Sequence, residues 1–215
     1  MKVAVLGGTA GLGKSLALRF CASGFEVVIG SRVKERAEAV AEELSSSVAS
    51  SRVSGALNSV AVVQAKFVFF AVPYSGLYEV ARSVRNNLAE ESIAVSTVVP
   101  LESDIGGSPR YLEPSAGSAA EALQQLLKSV PVVSAFNCVP ADALADLNRE
   151  LDVIVCGERQ PSDELIGMLR RVRGTRPIYG GPLLNSRVTE RLTQLLIEIN
   201  RAYGVKDASV RIEGV

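Results

Sequence analysis

The chain contains no histidine. That removes at once the commonest general acid or base near neutral pH and the commonest transition-metal ligand, so its chemistry must do without imidazole. Cysteine is scarce. Cys21, Cys138 and Cys156 are odd in number, widely spaced and form no C-x-x-C pair, which argues against a disulfide framework or a zinc site and reads as reduced core thiols. Net charge is missing too: 23 Lys and Arg balance 23 Asp and Glu, so no overall field draws the chain to nucleic acid or to an anionic membrane. No apolar run approaches the ~20 residues of a membrane span. The opening residues, Lys2 and a short strand, are too brief for a signal-peptide core and lack a small-residue cleavage pattern. Repeats, heptads and low-complexity tracts are absent. These absences predict a cytoplasmic protein with neither nucleic acid nor membrane as a partner.

What is there is ample core. At 215 residues with 47% apolar and 21% charged side chains, the chain has room for one domain plus a smaller one. Apolar strands alternate with amphipathic helices. Strands are expected at Met1–Leu6, ending at Gly30-Ser31-Arg32, weakly around Arg52–Ser54, then at Lys66–Val72, Ile93–Val99 and Val130–Phe136. Helices are expected at Lys14–Ala22, Val33–Leu44, Ser59–Ala65 with Asn58 as N-cap, Tyr74–Leu88, and Ser115–Lys128 after Pro114. Leu101–Tyr111, with Gly106, Gly107 and Pro109, is a loop long enough to be functional. The alternation predicts a doubly wound, mainly parallel α/β sheet of Rossmann type. Beyond Pro140 the pattern changes slightly: a helix at Asp142–Asn148, a strand at Asp152–Cys156, a helix at Asp163–Arg173, a short strand at Pro177–Tyr179 and a long helix at Ser186–Tyr203. Val188, Leu192, Leu195, Leu196 and Ile199 make a broad apolar stripe on that last helix. We therefore divide the chain into a nucleotide-binding domain, residues 1–140, and a smaller α/β part, residues 141–215.

The first thirty-two residues organise the rest. A continuously apolar strand, as expected when both faces are buried, breaks into Gly7-Gly8-Thr9-Ala10-Gly11-Leu12-Gly13 and opens a helix. The free N–H groups and aligned dipoles at such a helix start favour an anion, and a pyrophosphate would fit. The glycines match two spacings. As G-x-G-x-x-G, Gly8 and Gly13 fit but Ala10 holds the middle position. As G-x-x-x-G-x-G, the spacing of short-chain dehydrogenases, Gly7, Gly11 and Gly13 all fit. Those enzymes need a Tyr-x-x-x-Lys pair, and no tyrosine here has a lysine four residues on; Tyr78, Arg82, Ser115, Leu183 and Asp207 stand there. The short-chain reading is rejected on that ground. The alternative to a dinucleotide site is a tight strand-to-helix turn in some other α/β protein.

The tip of the second strand names the phosphate. NAD enzymes keep an acid there for the ribose hydroxyls, whereas NADP enzymes need a cation for the extra phosphate. Here it reads Gly30-Ser31-Arg32, with Arg36 four residues on. Arg32 offers a bidentate fork, Ser31 a hydroxyl donor and Arg36 a second cation, against the reading of Arg32 as ordinary exposed surface. The expected cofactor is NADP(H).

With these residues in view, the chain resembles the coenzyme F420-dependent NADP oxidoreductases over its whole length. The resemblance rests on Gly7 to Lys14, Gly30-Ser31-Arg32 with Arg36, Val72-Pro73-Tyr74, Val99-Pro100, Ser134-Ala135-Phe136-Asn137, Pro140-Ala141, Gly181-Pro182-Leu183 and Ser186-Arg187, in that order and spacing. It implies reversible hydride transfer between NADPH and the oxidised deazaflavin F420, with the two rings stacked in a cleft, and it implies a homodimer. Two departures stand out: Ala10 replaces a glycine, and Asn137 stands where some members carry histidine. Relatives of the same domain also serve as NADPH-to-flavin modules in membrane ferric reductases.

Hydride transfer between two bound rings asks the protein mainly for orientation, which suits a chain without histidine, and no catalytic residue is assigned. Ligands of open α/β sheets lie at the carboxyl ends of the strands, here Val72-Pro73-Tyr74, Thr97-Val98-Val99-Pro100 and Phe136-Asn137-Cys138. The cofactor-binding set is then Gly8, Thr9, Ala10, Gly11, Leu12, Gly13, Ser31, Arg32, Arg36, Val72, Pro73, Tyr74, Val98, Pro100 and Asn137, with no metal. Pro73 and Tyr74 are expected to wall the nicotinamide, and Asn137 to hydrogen-bond its carboxamide or the acceptor ring; the structural alternatives are strand-ending prolines and a core tyrosine. Cys138 reads as a spectator. Two rivals remain: a β-hydroxyacid-type dehydrogenase, which would want a lysine where Asp142 to Arg201 has none, and an NADPH-sensing module without turnover. An NADPH-dependent flavin or ferric reductase is the alternative acceptor chemistry.

Overall fold

The computed structural model describes residues 1–48 and 52–215. Six strands form one sheet in the order β3-β2-β1-β4-β5-β6, every neighbouring pair parallel. They are β1 (Lys2–Leu6), β2 (Glu26–Ser31), β3 (Val53–Leu57), β4 (Phe67–Phe70), β5 (Ile93–Ser96) and β6 (Val132–Ser134). Helices α1 (Gly11–Ala22), α2 (Lys34–Ser47), α3 (Asn58–Ala61), α4 (Tyr74–Val84) and α5 (Ala119–Leu127) connect them. The chain reverses strand order between β1 and β4, so a crevice opens at the carboxyl ends of those two strands. The central strands β1, β4 and β5 are buried almost end to end, as a sheet covered on both faces requires.

After α6 (Ala141–Ala145), strands β7 (Leu151–Val155) and β8 (Thr175–Tyr179) pair in parallel as a separate two-stranded sheet around α7 (Arg159–Leu169). An antiparallel bridge, Ser134 to Cys156, joins β6 to the end of β7. The fold closes with α8 (Ser186–Tyr203). One apolar cluster runs from Val3 and Val5 through Phe20, Phe69 and Phe136 to Leu165 and Val172. A second covers the other sheet face, from Ala4 and Leu6 to Leu77, Leu123 and Val132.

A buried arginine ties α1 to the later part. Arg19 is fully buried, and its guanidinium donates to the carbonyls of Leu144 (2.7 Å), Arg173 (2.8 Å), Arg149 (3.2 Å), Ala143 (3.3 Å) and Asp146. These carbonyls end α6 and the turns around β7 and β8, where a cation also meets the helix dipole. Arg176 of β8 grips the buried Asp152 of β7 with two bonds, at 2.7 and 2.6 Å, and the carbonyls of Ile212 and Val215.

Several boundaries move from their expected places, each for a local reason. Ser115–Ser118 is not helical. Helix α5 starts at Ala119 because Ser118 caps it, accepting from the Glu121 N–H at 3.0 Å while donating to the Glu121 carboxylate at 2.8 Å. Helix α7 starts at Arg159, with Pro161 tolerated in its first turn. Leu57, not Asn58, stands at the N-cap of α3. Ser45–Ser47 extends α2 instead of ending it. The stripe on α8 divides: Leu196 is buried, whereas Val188 is 66% and Leu195 54% exposed.

Candidate functional site

A cleft of about 810 Å³ opens at the carboxyl ends of β1, β2, β4 and β5. Its floor is the turn between β1 and α1. Gly7 takes φ +77° there, and a Cβ on it would come within 2.5 Å of the Ala71 carbonyl oxygen, so the turn can pass the end of β4 only as glycine. Gly13 allows the first turn of α1 to press on the loop; a Cβ there would lie 2.4 Å from the Gly7 carbonyl oxygen. Ala10, where a glycine was expected to matter, is extended with φ −158°, a conformation any residue adopts, so its methyl adds no backbone strain.

Helix α1 begins without a capping side chain and without an acidic residue in its first turn. Its leading N–H groups therefore face the cleft unneutralised, at the end where the dipole is positive. That is an anion cradle.

The cleft wall beyond it is cationic. Ser31, Arg32, Val33 and Arg36 line it. The Val33 N–H donates to Ser31 Oγ at 3.1 Å, which fixes the hydroxyl and leaves its proton to donate. Arg32 faces Glu79 across the opening at 3.9 Å, both side chains largely exposed. Arg36 makes no ion pair among the described residues. Two guanidinium groups and a hydroxyl around one open space suit a phosphate monoester.

Of the expected site residues, Thr9, Ala10, Gly11, Leu12, Ser31, Arg32, Arg36, Val72, Pro73, Val98 and Asn137 line the cleft. Gly8, Gly13, Tyr74 and Pro100 do not. Gly8 and Gly13 are buried supports of the turn. Tyr74 turns its ring onto Tyr78, edge to face at 6.2 Å, and packs against the second core cluster. Burial and the Tyr78 hydroxyl raise its pKa. Pro100 is buried, and its carbonyl accepts from the Leu112 N–H at 2.9 Å.

Asn137 lines the cleft but is already engaged. Its Oδ1 accepts from Ser134 Oγ at 2.7 Å, its Nδ2 donates to the Val98 carbonyl at 3.1 Å, and its own carbonyl accepts from Thr193 Oγ1 at 2.7 Å. One amide hydrogen of Nδ2 is left for a ligand. Phe136 just before it has φ +65°, a strained setting for an aromatic residue that aims Asn137 into the cleft.

Sequence reasoning missed Glu79, Asp104, Asn58 and Thr193, all of which line the cleft. Asp104, in a short 3-10 turn at 102–105, accepts from the Tyr74 N–H at 2.7 Å, so the Leu101–Tyr111 loop stoppers the N-terminus of α4. Glu190 of α8 is fully buried. It accepts from the Ala119 and Ala120 N–H groups at 2.8 and 3.1 Å and from the Tyr111 hydroxyl at 3.3 Å, and burial pushes its pKa up to about 7. The cysteines are buried, with pKa values pushed up by burial to about 11 for Cys21 and Cys156 and about 12 for Cys138. None is a nucleophile in this setting. No metal-binding cluster occurs among the described residues, and no helix among them is long and apolar enough to cross a membrane.

The family model for coenzyme F420-dependent NADP oxidoreductase matches residues 2–100. The F420-dependent NADP reductase of Methanothermobacter thermautotrophicus is 35% identical over 220 residues, covering 99% of this chain and 94% of that protein. The chain belongs to this family. The F420-dependent NADP reductase of Methanocaldococcus jannaschii is 36% identical, covering 99% of this chain and 98% of that protein. Rat metalloreductase STEAP3 is 30% identical over 91% of this chain, which spans 37% of that protein. Among solved structures, a candidate F420-dependent NADP reductase from Arthrobacter sp. FB24 superposes with a TM-score of 0.83 at 24% identity, each chain covered in full. An imine reductase from Streptomyces aurantiacus gives 0.65 at 17% identity over 93% of this chain and 61% of its own. These last two speak for the Rossmann fold.

Proposed function

We propose that this chain is an NADP-dependent oxidoreductase that transfers hydride between NADP(H) and the deazaflavin coenzyme F420. The observation that carries it is the pairing of an uncapped, acid-free α1 N-terminus with Ser31, Arg32 and Arg36 in one cleft. When bound, the nicotinamide supplies or receives the hydride and the deazaflavin does the reverse. The protein's part is to hold them. The α1 N–H groups with Thr9, Ala10, Gly11 and Leu12 take the pyrophosphate, Ser31, Arg32 and Arg36 take the 2′-phosphate, and Val72, Pro73, Val98 and Asn137 wall the inner end where two rings must meet.

Residues 141–215 supply the remaining wall through Ala141 and Thr193, which supports a division of labour near residue 140. A homodimer is part of the same reading. Its support is the exposed apolar stripe of Leu184, Val188 and Leu195 on and before α8; Val188→Glu with Leu195→Glu is expected to shift the sedimentation coefficient to that of a monomer. A cytoplasmic enzyme that works on small molecules belongs to the same reading, and the balance of 23 Lys and Arg against 23 Asp and Glu supports small molecules over polyanions as its ligands.

The deciding experiment mixes protein, NADPH and oxidised F420 and follows the loss of deazaflavin absorbance. Turnover with F420 is expected. Turnover only with FMN, FAD or ferric chelates would move the acceptor to the flavin or ferric class, and NADPH binding without oxidation by any of them would leave a sensing module.

A further inference from the structure

Two acids line the main cleft among the described residues, and they keep different company. Glu79 faces Arg32 at the end rich in cations. Asp104 comes from the loop after β5 and meets the cleft more than a helical turn away from Glu79, where α4 begins beside Pro73.

The Asp104 carboxylate is used on one side only. Its Oδ2 accepts from the Tyr74 N–H at 2.7 Å, while Oδ1 bonds to nothing among the described residues and is not a buried atom, so it is open at the cleft wall. The backbone beneath it is fixed. The Asp104 N–H donates to the Leu101 carbonyl at 3.1 Å, the Glu102 N–H to the Arg110 carbonyl at 2.9 Å and the Leu112 N–H to the Pro100 carbonyl at 2.9 Å. Behind the loop, α8 holds Tyr111, whose N–H donates to Gln194 Oε1 at 2.8 Å and whose hydroxyl donates to Glu190 at 3.3 Å. The open oxygen is thus presented with little left to order on binding.

An ionised carboxylate oxygen accepts from donors and repels anions. In a dinucleotide laid with its pyrophosphate at the α1 N-terminus and its reacting ring between Val72, Pro73, Val98 and Asn137, the piece between those points is the nicotinamide-side ribose. That sugar has two free hydroxyls. The adenosine sugar carries the 2′-phosphate instead, which suits Arg32 and Arg36 and not an acid. The Tyr74 N–H that holds Asp104 follows Pro73 directly, so the carboxylate borders the ring end of the cleft. The acid that NAD enzymes keep at the tip of the second strand for one ribose is missing from Gly30-Ser31-Arg32. Asp104 offers the same chemistry to the other ribose.

We propose that Asp104 binds the nicotinamide-side ribose of NADP(H), accepting from its hydroxyls through the oxygen that the Tyr74 N–H leaves free. This rests on the NADP reading of the cleft and adds a contact that reading lacks. Arg32 and Arg36 hold the far end of the ligand; Asp104 fixes the sugar that carries the reacting ring.

The test is a fluorescence titration with NADPH and with an NADPH analogue whose nicotinamide-side sugar is 2′,3′-dideoxyribose, beside calorimetric titration with adenosine 2′,5′-bisphosphate, which lacks that sugar. Wild type is expected to bind NADPH about tenfold or more tightly than the dideoxy analogue, the scale of a hydrogen bond to a charged group. Asp104→Ala should weaken NADPH by a similar factor, bring the ratio close to one and leave the bisphosphate affinity unchanged. Asp104→Asn keeps an acceptor for the Tyr74 N–H and should fall between. Were Asp104 only a cap for α4, Asp104→Ala would weaken NADPH and its analogue together and preserve their ratio, which overturns the inference. Equal binding of the two by wild type overturns it without any variant, as does tighter NADPH binding by Asp104→Ala, the mark of a carboxylate that merely repels the pyrophosphate. Failure of wild type to bind NADPH or the bisphosphate would sink the NADP reading as well, a pattern distinct from tight but undiscriminating binding.

Discussion

Ser134 Oγ donates a 2.7 Å hydrogen bond to Asn137 Oδ1, and through it the end of β6 is locked to the end of β5, because the same amide donates to the Val98 carbonyl. Asn137 is thus a clamp across the inner end of the cleft it lines. Asn137→Ala should leave Ser134 Oγ and the Val98 carbonyl unpaired and destabilise the fold by about 1–3 kcal/mol. In steady-state kinetics kcat should fall more than the KM for NADPH rises, since the proposed phosphate end at Ser31, Arg32 and Arg36 is untouched. A variant with wild-type urea midpoint and kcat would show that the clamp does not matter.

Reversing charge at the proposed 2′-phosphate site tests that placement. A charge-assisted hydrogen bond contributes about 1.5–3 kcal/mol, so Arg32→Glu should weaken NADPH binding roughly tenfold to a hundredfold and Arg36→Ala somewhat less. NADH affinity should stay level or improve. If the ratio of the two affinities does not move, the phosphate lies elsewhere.

Glu79 is the acid that a 2′-phosphate would meet opposite Arg32, 3.9 Å from its guanidinium. Both side chains are exposed, so their pairing stabilises the protein by less than about 1 kcal/mol. Its removal should instead help the ligand: Glu79→Gln is expected to tighten NADPH binding about two- to fivefold at low salt, with the gain fading at 0.5 M as screening shortens the field. Unchanged affinity at low salt would place the phosphate away from this pair.

Glu190 predicts a pH dependence. Its folded pKa, pushed up to about 7, lies above its ordinary 4.5, so between those values the native state keeps a proton that the unfolded chain releases. This group's contribution therefore falls as pH rises, by about 1.4 kcal/mol per unit, and levels off above 7. The Tyr111 hydroxyl and the Glu121–Arg187 pair flank it and hold steady over this range. Glu190→Gln should abolish that slope, so urea midpoints of wild type and variant should converge or cross between pH 5 and 8. Parallel curves would show that Glu190 does not titrate in this window.

How much of this was legible in the residues varies with how local the cause is. The α8 bounds, Ser186 to Tyr203, follow from an uninterrupted 3.6-residue pattern ended by Gly204, and the chain folds as that pattern dictates. The parallel sheet follows from strand-helix alternation, whereas its order β3-β2-β1-β4-β5-β6 is seen only in the fold. Helix starts were harder: at α5 the Ser118 and Glu121 exchange outweighs the invitation of Pro114, a competition visible only once both partners are placed. Thr9 to Leu12 and Ser31, Arg32 and Arg36 were readable as cleft residues because they fall in two short segments, each at the end of a strand. Glu79, Asp104, Asn58 and Thr193 reach the cleft from four separate segments, and no local spacing marks them. Tyr74 shows how far a neighbour's position reaches: its place beside Pro73 suggests a ligand wall, while the helix turns its ring onto Tyr78.

Arg19 ties α1 to the turns around β7 and β8. It also bears on the kinetics of ligand capture. Five backbone carbonyls gathered on one buried guanidinium leave the two sides of the cleft no inexpensive hinge, because opening them would strand a charge and its acceptors together. The helix whose N-terminus would hold the pyrophosphate in the proposed site is the helix that carries this anchor. Its N–H groups are thus held in place before any ligand arrives, and dinucleotide capture should follow a single exponential whose rate climbs linearly with concentration, without the plateau that a preceding closure step would impose.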